Sequence, residues 1–159
     1  MAWIRFALAL TCTAVAGLAA ADDAKGEKVE YTLHDGQFEK NTSGLKGDVS
    51  FLSISDRDAF DKMFGVAFTM GKKPNVVPKD AFEKKLAAAV ITRGNAVTTY
   101  TVEKVTSEGT TLYLQYKTTT GPVASARFAS PLIVTVDKGS IKKVVFIADG
   151  KTAGTAEVK

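Results

Sequence analysis

The stretch from Leu86 to Thr119 sets the narrowest limits on the fold. Leu86 to Ile91 is an unbroken apolar run of leucine, three alanines, valine and isoleucine, closed by Arg93-Gly94. A strand that is apolar on both faces belongs in the middle of a sheet covered on both sides. After the glycine the period changes to two. Tyr100 and Val102 alternate with Thr99, Thr101 and Glu103, and Leu112, Leu114 and Tyr116 alternate with Thr111, Tyr113, Gln115 and Lys117. Ser107-Glu108-Gly109 separates the two runs, with Gly109 free to take a positive φ. The spacing therefore predicts a hairpin at the centre of a small β-domain.

The flanking sequence extends that pattern. Val29, Tyr31 and Leu33 alternate with Glu30, Thr32 and His34, which predicts a first strand with one face inward, and Asp35-Gly36 is a turn signal that would join it to Gln37–Lys40. Val49 to Ile54 reads as a further strand. Ser55 with Asp58 resembles a capping box, and Ala59, Phe60, Met63 and Phe64 recur at helical spacing, so a short helix is expected over Asp56 to Phe64, ended by Gly65 in the left-handed conformation. Ala124, Ala126 and Phe128 open another strand that Leu132 to Val136 continues, with Pro131 at a bend or an edge. Asp149-Gly150 between Lys142–Ile147 and Thr152–Val158 favours a type I′ turn and a last hairpin. The sum is about eight or nine strands and one short helix. The fold class is mainly β, α+β at the margin, as an antiparallel β-sandwich or a partly open barrel.

Residues 1–21 read as a signal peptide. Arg5 supplies the positive end, Phe6 to Leu18 a mostly apolar core, and Ala19-Ala20-Ala21 the small residues before cleavage near Ala21. Residues 22–28 are expected to be a flexible leader and 29–159 a single β-rich domain. The protein is thus expected to be exported, periplasmic or extracellular, with no stable membrane span in the mature chain. Cys12 is the one cysteine and falls in the signal, where lipid modification stays open. A mature chain without thiols must draw its stability from its core. Losing Arg5 takes Lys+Arg from 21 to 20 against 17 acids, a balance of +3. The lysines are dispersed rather than gathered in a stripe with aromatics, so no nucleic acid is expected as a partner.

Catalytic signals are sparse. His34 is the single histidine, and no nucleophile elbow accompanies it. A hydrolase using His34 is therefore the least favoured reading. No cluster has the spacing of a zinc or calcium site, and no glycine-rich phosphate loop occurs, so no cofactor and no metal are expected. The loop Gly71 to Pro78 and the bend Gly94 to Tyr100 stand out instead as surfaces for a partner. The candidate contact residues are Lys72, Lys73, Asn75, Arg93, Asn95, Thr98, Thr99 and Tyr100, with the turn Ser107 to Gly109 beside them.

The order of features carries a family resemblance over roughly residues 50–148. The aromatic helix Asp56 to Phe64, Asp80-Ala81-Phe82, the apolar strand closed by Arg93-Gly94, Thr98-Thr99-Tyr100-Thr101-Val102 and Ala129-Ser130-Pro131-Leu132-Ile133-Val134 together resemble the C-terminal domain of the PrcB family of protease-complex subunits. Where that family commonly has Gly-Gly-Tyr, this chain has Thr98-Thr99-Tyr100. The resemblance implies a secreted or lipid-anchored β-rich protein that assists a protease without cleaving anything. The expected function is an exported, non-enzymatic, protein-binding domain that stabilises or regulates an envelope or secreted protein. The alternative is a small-molecule or lipid carrier with an apolar cavity.

Overall fold

The computed structural model describes residues 26–67, 71 and 73–158. The segment read as a signal peptide lies outside them. The described chain is a β-sandwich with a third, smaller layer on one side. One sheet holds β1 (Glu27–Lys28), β7 (Thr98–Glu108), β8 (Thr111–Thr120), β10 (Lys143–Ala148) and β11 (Lys151–Glu157), in the order β1-β7-β8-β10-β11. The facing sheet has the order β2-β9-β6-β4, from β2 (Tyr31–His34), β9 (Phe128–Asp137), β6 (Lys85–Gly94) and β4 (Val49–Ile54). A ribbon of β3 (Gln37–Glu39) and β5 (Phe64–Val66) joins helix α1 (Arg57–Met63) and a 3-10 turn at Ala81–Glu83 in the outer layer. Neither large sheet closes on itself, which decides for a sandwich over a barrel.

The apolar run sits where its composition requires. β6 pairs with β9 on one side and β4 on the other, and both its faces are covered. Leu86, Ala88 and Val90 face the other sheet, packing with Leu132, Val134 and Val136 of β9 and with Val105, Leu112, Leu114, Tyr116, Val144 and Phe146 across the gap. Ala87, Ala89 and Ile91 face outward onto Ile54, Phe60, Phe64, Val77 and Phe82. Alanine on that face leaves room for the rings of Phe60, whose centroid lies 4.9 Å from that of Phe64 and 5.2 Å from that of Phe82. Each large side chain buried this way stabilises the fold by about 1.5–3 kcal/mol. β7 and β8 form the expected hairpin, with Gly109 at φ 60°. β10 and β11 form the other, where Asp149 (φ 50°) and Gly150 (φ 77°) both take the positive φ of a type I′ turn.

Several local expectations are corrected. Asp35-Gly36 is not a hairpin turn, because β2 pairs with β9 while β3 pairs with β5. Asp35 Oδ1 instead accepts the Asn75 N–H, and Gly36 packs against Pro74 and Val76, so the chain switches layers there. The buried residue of β2 is His34, which faces the outer layer beside Ile133, whereas Tyr31 and Leu33 lie on the inter-sheet face and stay exposed. Helix α1 is capped by Asp56, whose carboxylate accepts the Ala59 N–H at 2.8 Å, and it passes directly into β5 rather than ending on a left-handed Gly65. Glu27 and Lys28, placed in the leader, form β1. Ala124 and Ala126 lie in a loop before β9. Pro131 sits within β9 beyond the end of its pairing with β2, which stops at Ile133, so its missing N–H breaks no ladder with β2.

Candidate partner-binding edge

The two lateral sides of the sandwich differ. On one, β11 lies against β4: a Cβ built on Gly154 would stand 2.3 Å from the Phe51 ring, so only glycine lets the two edges meet. On the other, the outer edge of β7 is paired with β1 at Thr106 and Ser107 and bonded to Val29 at Val105, and β9 runs on to Phe128 past the end of β2, beside β3. Between these two edges lies a groove of about 300 Å³ lined by Leu33, His34, Gln37, Thr98, Thr99, Tyr100 and Leu132, among others.

Side chains hold the rim of that groove in place. The Thr98 N–H donates to Ser130 Oγ at 3.0 Å, and Tyr100 Oη donates to the Ser130 carbonyl at 2.9 Å. The Tyr100 ring stands edge-on to Tyr116 with centroids 5.7 Å apart. Burial pushes the Tyr100 phenol above its ordinary range, against the hydrogen bonding of Thr92, so it stays a neutral donor. Burial, with Tyr100 and Asp149 close by, pushes Tyr116 up further. Thr99 is exposed, and its hydroxyl donates to the Thr119 carbonyl at 3.2 Å.

The candidate residues do not come together in one place. Thr98, Thr99 and Tyr100 come together at this edge. Asn75 lies behind it, donating from Nδ2 to the Leu33 carbonyl at 2.6 Å, in the wall of a cleft of about 340 Å³ lined with His34, Asp80, Glu83, Lys84 and Lys85. Arg93 lies on a third surface and is committed to the fold: its Nε and Nη2 donate to both Glu39 oxygens at 2.7 Å, and its Nη1 reaches the Gly47 carbonyl and Ser50 Oγ. Asn95 is exposed, and its carbonyl accepts the Ala124 N–H. Lys73 is exposed on its loop, and Lys72 lies outside the described residues.

His34 is the residue whose setting the alternation hid. It is 5 % exposed, and its Nε2 lies 2.9 Å from Thr135 Oγ1. Burial lowers its pKa below the usual imidazole value, outweighing nearby backbone groups of Asn75 and Val76 that favour the charged ring. Its Nδ1 is buried without a hydrogen bond, as is Gln37 Oε1, so no described carboxylate orients the ring as a catalytic triad would. Among the described residues no group of three or more His, Cys, Asp or Glu is placed to hold a metal ion, and no helix is long and apolar enough to cross a membrane.

Comparison of the chain with protein-family models, with curated proteins and with solved structures finds no match. The likeness to the protease-complex subunits rests on the sequence phrases alone.

Proposed function

We propose that the protein is an exported, non-enzymatic domain that binds a protein partner along the open lateral side of its sandwich. One observation carries this reading: one side is sealed by β4 against β11, whereas on the other the β7 edge from Thr98 to Val102 has no strand paired to it and borders a groove that holds Thr98, Thr99 and Tyr100. An uncovered sheet edge offers main-chain donors and acceptors that water or a partner must satisfy. The space between the sheets is filled by side chains such as Tyr116, Phe146 and Leu114, which favours a surface partner over a ligand carried inside. The resemblance stated above makes a secreted or envelope protease one candidate partner.

The test is crosslinking in the native envelope and secreted fractions with a photo-reactive residue in place of Thr99, beside a control with the same residue in place of Lys151 on the opposite side. A protein captured repeatedly from the first position and not from the second is the expected result. Equal capture from both positions, or none from either, would overturn the reading.

A further inference from the structure

The chemistry of the partner segment follows from the same edge, on the footing of the partner-binding reading above. The Thr98 N–H points away from β8, since it donates to Ser130 Oγ on the facing sheet. Main-chain groups change sides at each residue of a strand, so those of Tyr100 and Val102 face the same outer edge, up to the bulge between Val102 and Lys104. Past the bulge that edge is in use. Lys28 lies opposite Thr106, Glu27 opposite Ser107, and the Val29 N–H donates to the Val105 carbonyl at 2.9 Å. Val29 also turns its side chain onto the inter-sheet core. The chain thus contains its own example of an extended segment bound to this edge with an apolar side chain facing inward.

The facing sheet shows what the uncovered stretch lacks. Tyr31 and Leu33 are the cross-strand partners of Val136 and Val134, two core residues of the inter-sheet face. Cross-strand partners share a face, so Tyr31 and Leu33 lie on the inner side of their sheet. Yet they are 40 % and 42 % exposed, because no strand of the first sheet lies over them.

We propose that the Thr98–Val102 edge of β7 binds an extended peptide by strand addition, with apolar side chains at alternate positions seated on Leu33 and Tyr31. Main-chain bonds to Tyr100 and Val102 would supply affinity that is indifferent to sequence, and the alternating apolar positions would supply selectivity. A second copy of this chain does not meet the description. Its own β7 already packs Tyr100 and Val102 against its own core and has no inward side chain left for Leu33.

The test selects binders from a displayed library of random heptapeptides and follows amide hydrogen exchange with and without the selected peptide. Alternating apolar residues are expected in the binders, with exchange slowed at Tyr100 and Val102. Peptides N-methylated at every second amide separate the two edges of the bound strand: methylation in one register should weaken binding at least tenfold and in the other register little. Leu33→Asp, a change at an exposed position checked for folding by circular dichroism, should also weaken binding at least tenfold. Recovery of no peptide, protection of amides elsewhere, or equal binding of both N-methylated forms would overturn strand addition. None of those results touches the crosslinking test, which decides separately whether this side binds a protein at all.

Discussion

Arg93 and Glu39 show how a residue chosen as a contact can be a fixture of the fold. Their side chains are 10 % and 7 % exposed and joined by a two-pronged ion pair. Burial alone would raise the Glu39 pKa, but hydrogen bonds from Arg93 and Ser43 and the guanidinium charge hold it below the usual carboxylate range. A depressed carboxylate contributes stability above its unfolded pKa and loses it as pH falls through the folded one. Arg93→Met leaves a buried charge unpaired, and urea unfolding at pH 7 should show a loss of about 3 kcal/mol. The gap to the parent should narrow toward pH 4, where Glu39 takes up a proton in the variant. His34 contributes in the same direction for a different reason. Its folded pKa lies below 6.5, so below that pH the unfolded chain binds the extra proton and stability falls. His34→Gln should flatten the stability profile between pH 6.5 and 5; an unchanged slope would show that the ring titrates alike in both states.

The strand β11 closes the sandwich only because Gly154 carries no side chain. Gly154→Ala would place a methyl group within 2.3 Å of the Phe51 ring, which itself packs on Phe146 at 5.2 Å. Overpacking of this kind costs about 1–3 kcal/mol. Because the clash is with one ring, the pair Gly154→Ala and Phe51→Ala should be non-additive, the double variant being more stable than the sum of the two losses predicts. A thermal-unfolding double-mutant cycle measures this, and strict additivity would mean that β11 simply shifts away. At the other side, β1 contributes little pairing but covers part of the β7 edge. A chain beginning at Glu30 should lose about 1 kcal/mol with the hydrogen bond and packing of Val29, and amide exchange at Val105 and Ser107, whose main-chain groups face β1, should accelerate while Thr106, β8 and β10 stay protected.

At the scale of the molecule, the pairings that matter join distant parts of the chain: β2 to β9, β4 to β6, and β8 to β10 as parallel neighbours. Much of the element order was still legible in the amino acids. The apolar run at Leu86 to Ile91 announced a strand covered on both faces, and Asp149-Gly150 announced its hairpin, because in each the local conformational or burial requirement selects the residue types directly. The candidate edge was half legible: the sequence puts Thr98, Thr99 and Tyr100 at a bend, and the fold places them on a rim. Arg93 and Asn75, grouped with them by the sequence pattern, lie elsewhere, since nothing in a linear pattern says which distant carboxylate or carbonyl a side chain will meet.

What the sequence by itself determined is most of the strands, the two hairpins and the short helix, all of which depend on neighbours within a few residues, while β1, β5 and the helix cap on Asp56 escaped it. Which strand joins which sheet, that His34 is buried toward the outer layer, and that one side of the sandwich is sealed by Gly154 while the other stays open were decided only in the tertiary structure. The physical reason is the partner. A strand's period of two marks alternate faces but not which one is buried, and the face of Tyr31 and Leu33 is left exposed because the opposing sheet ends before it reaches them.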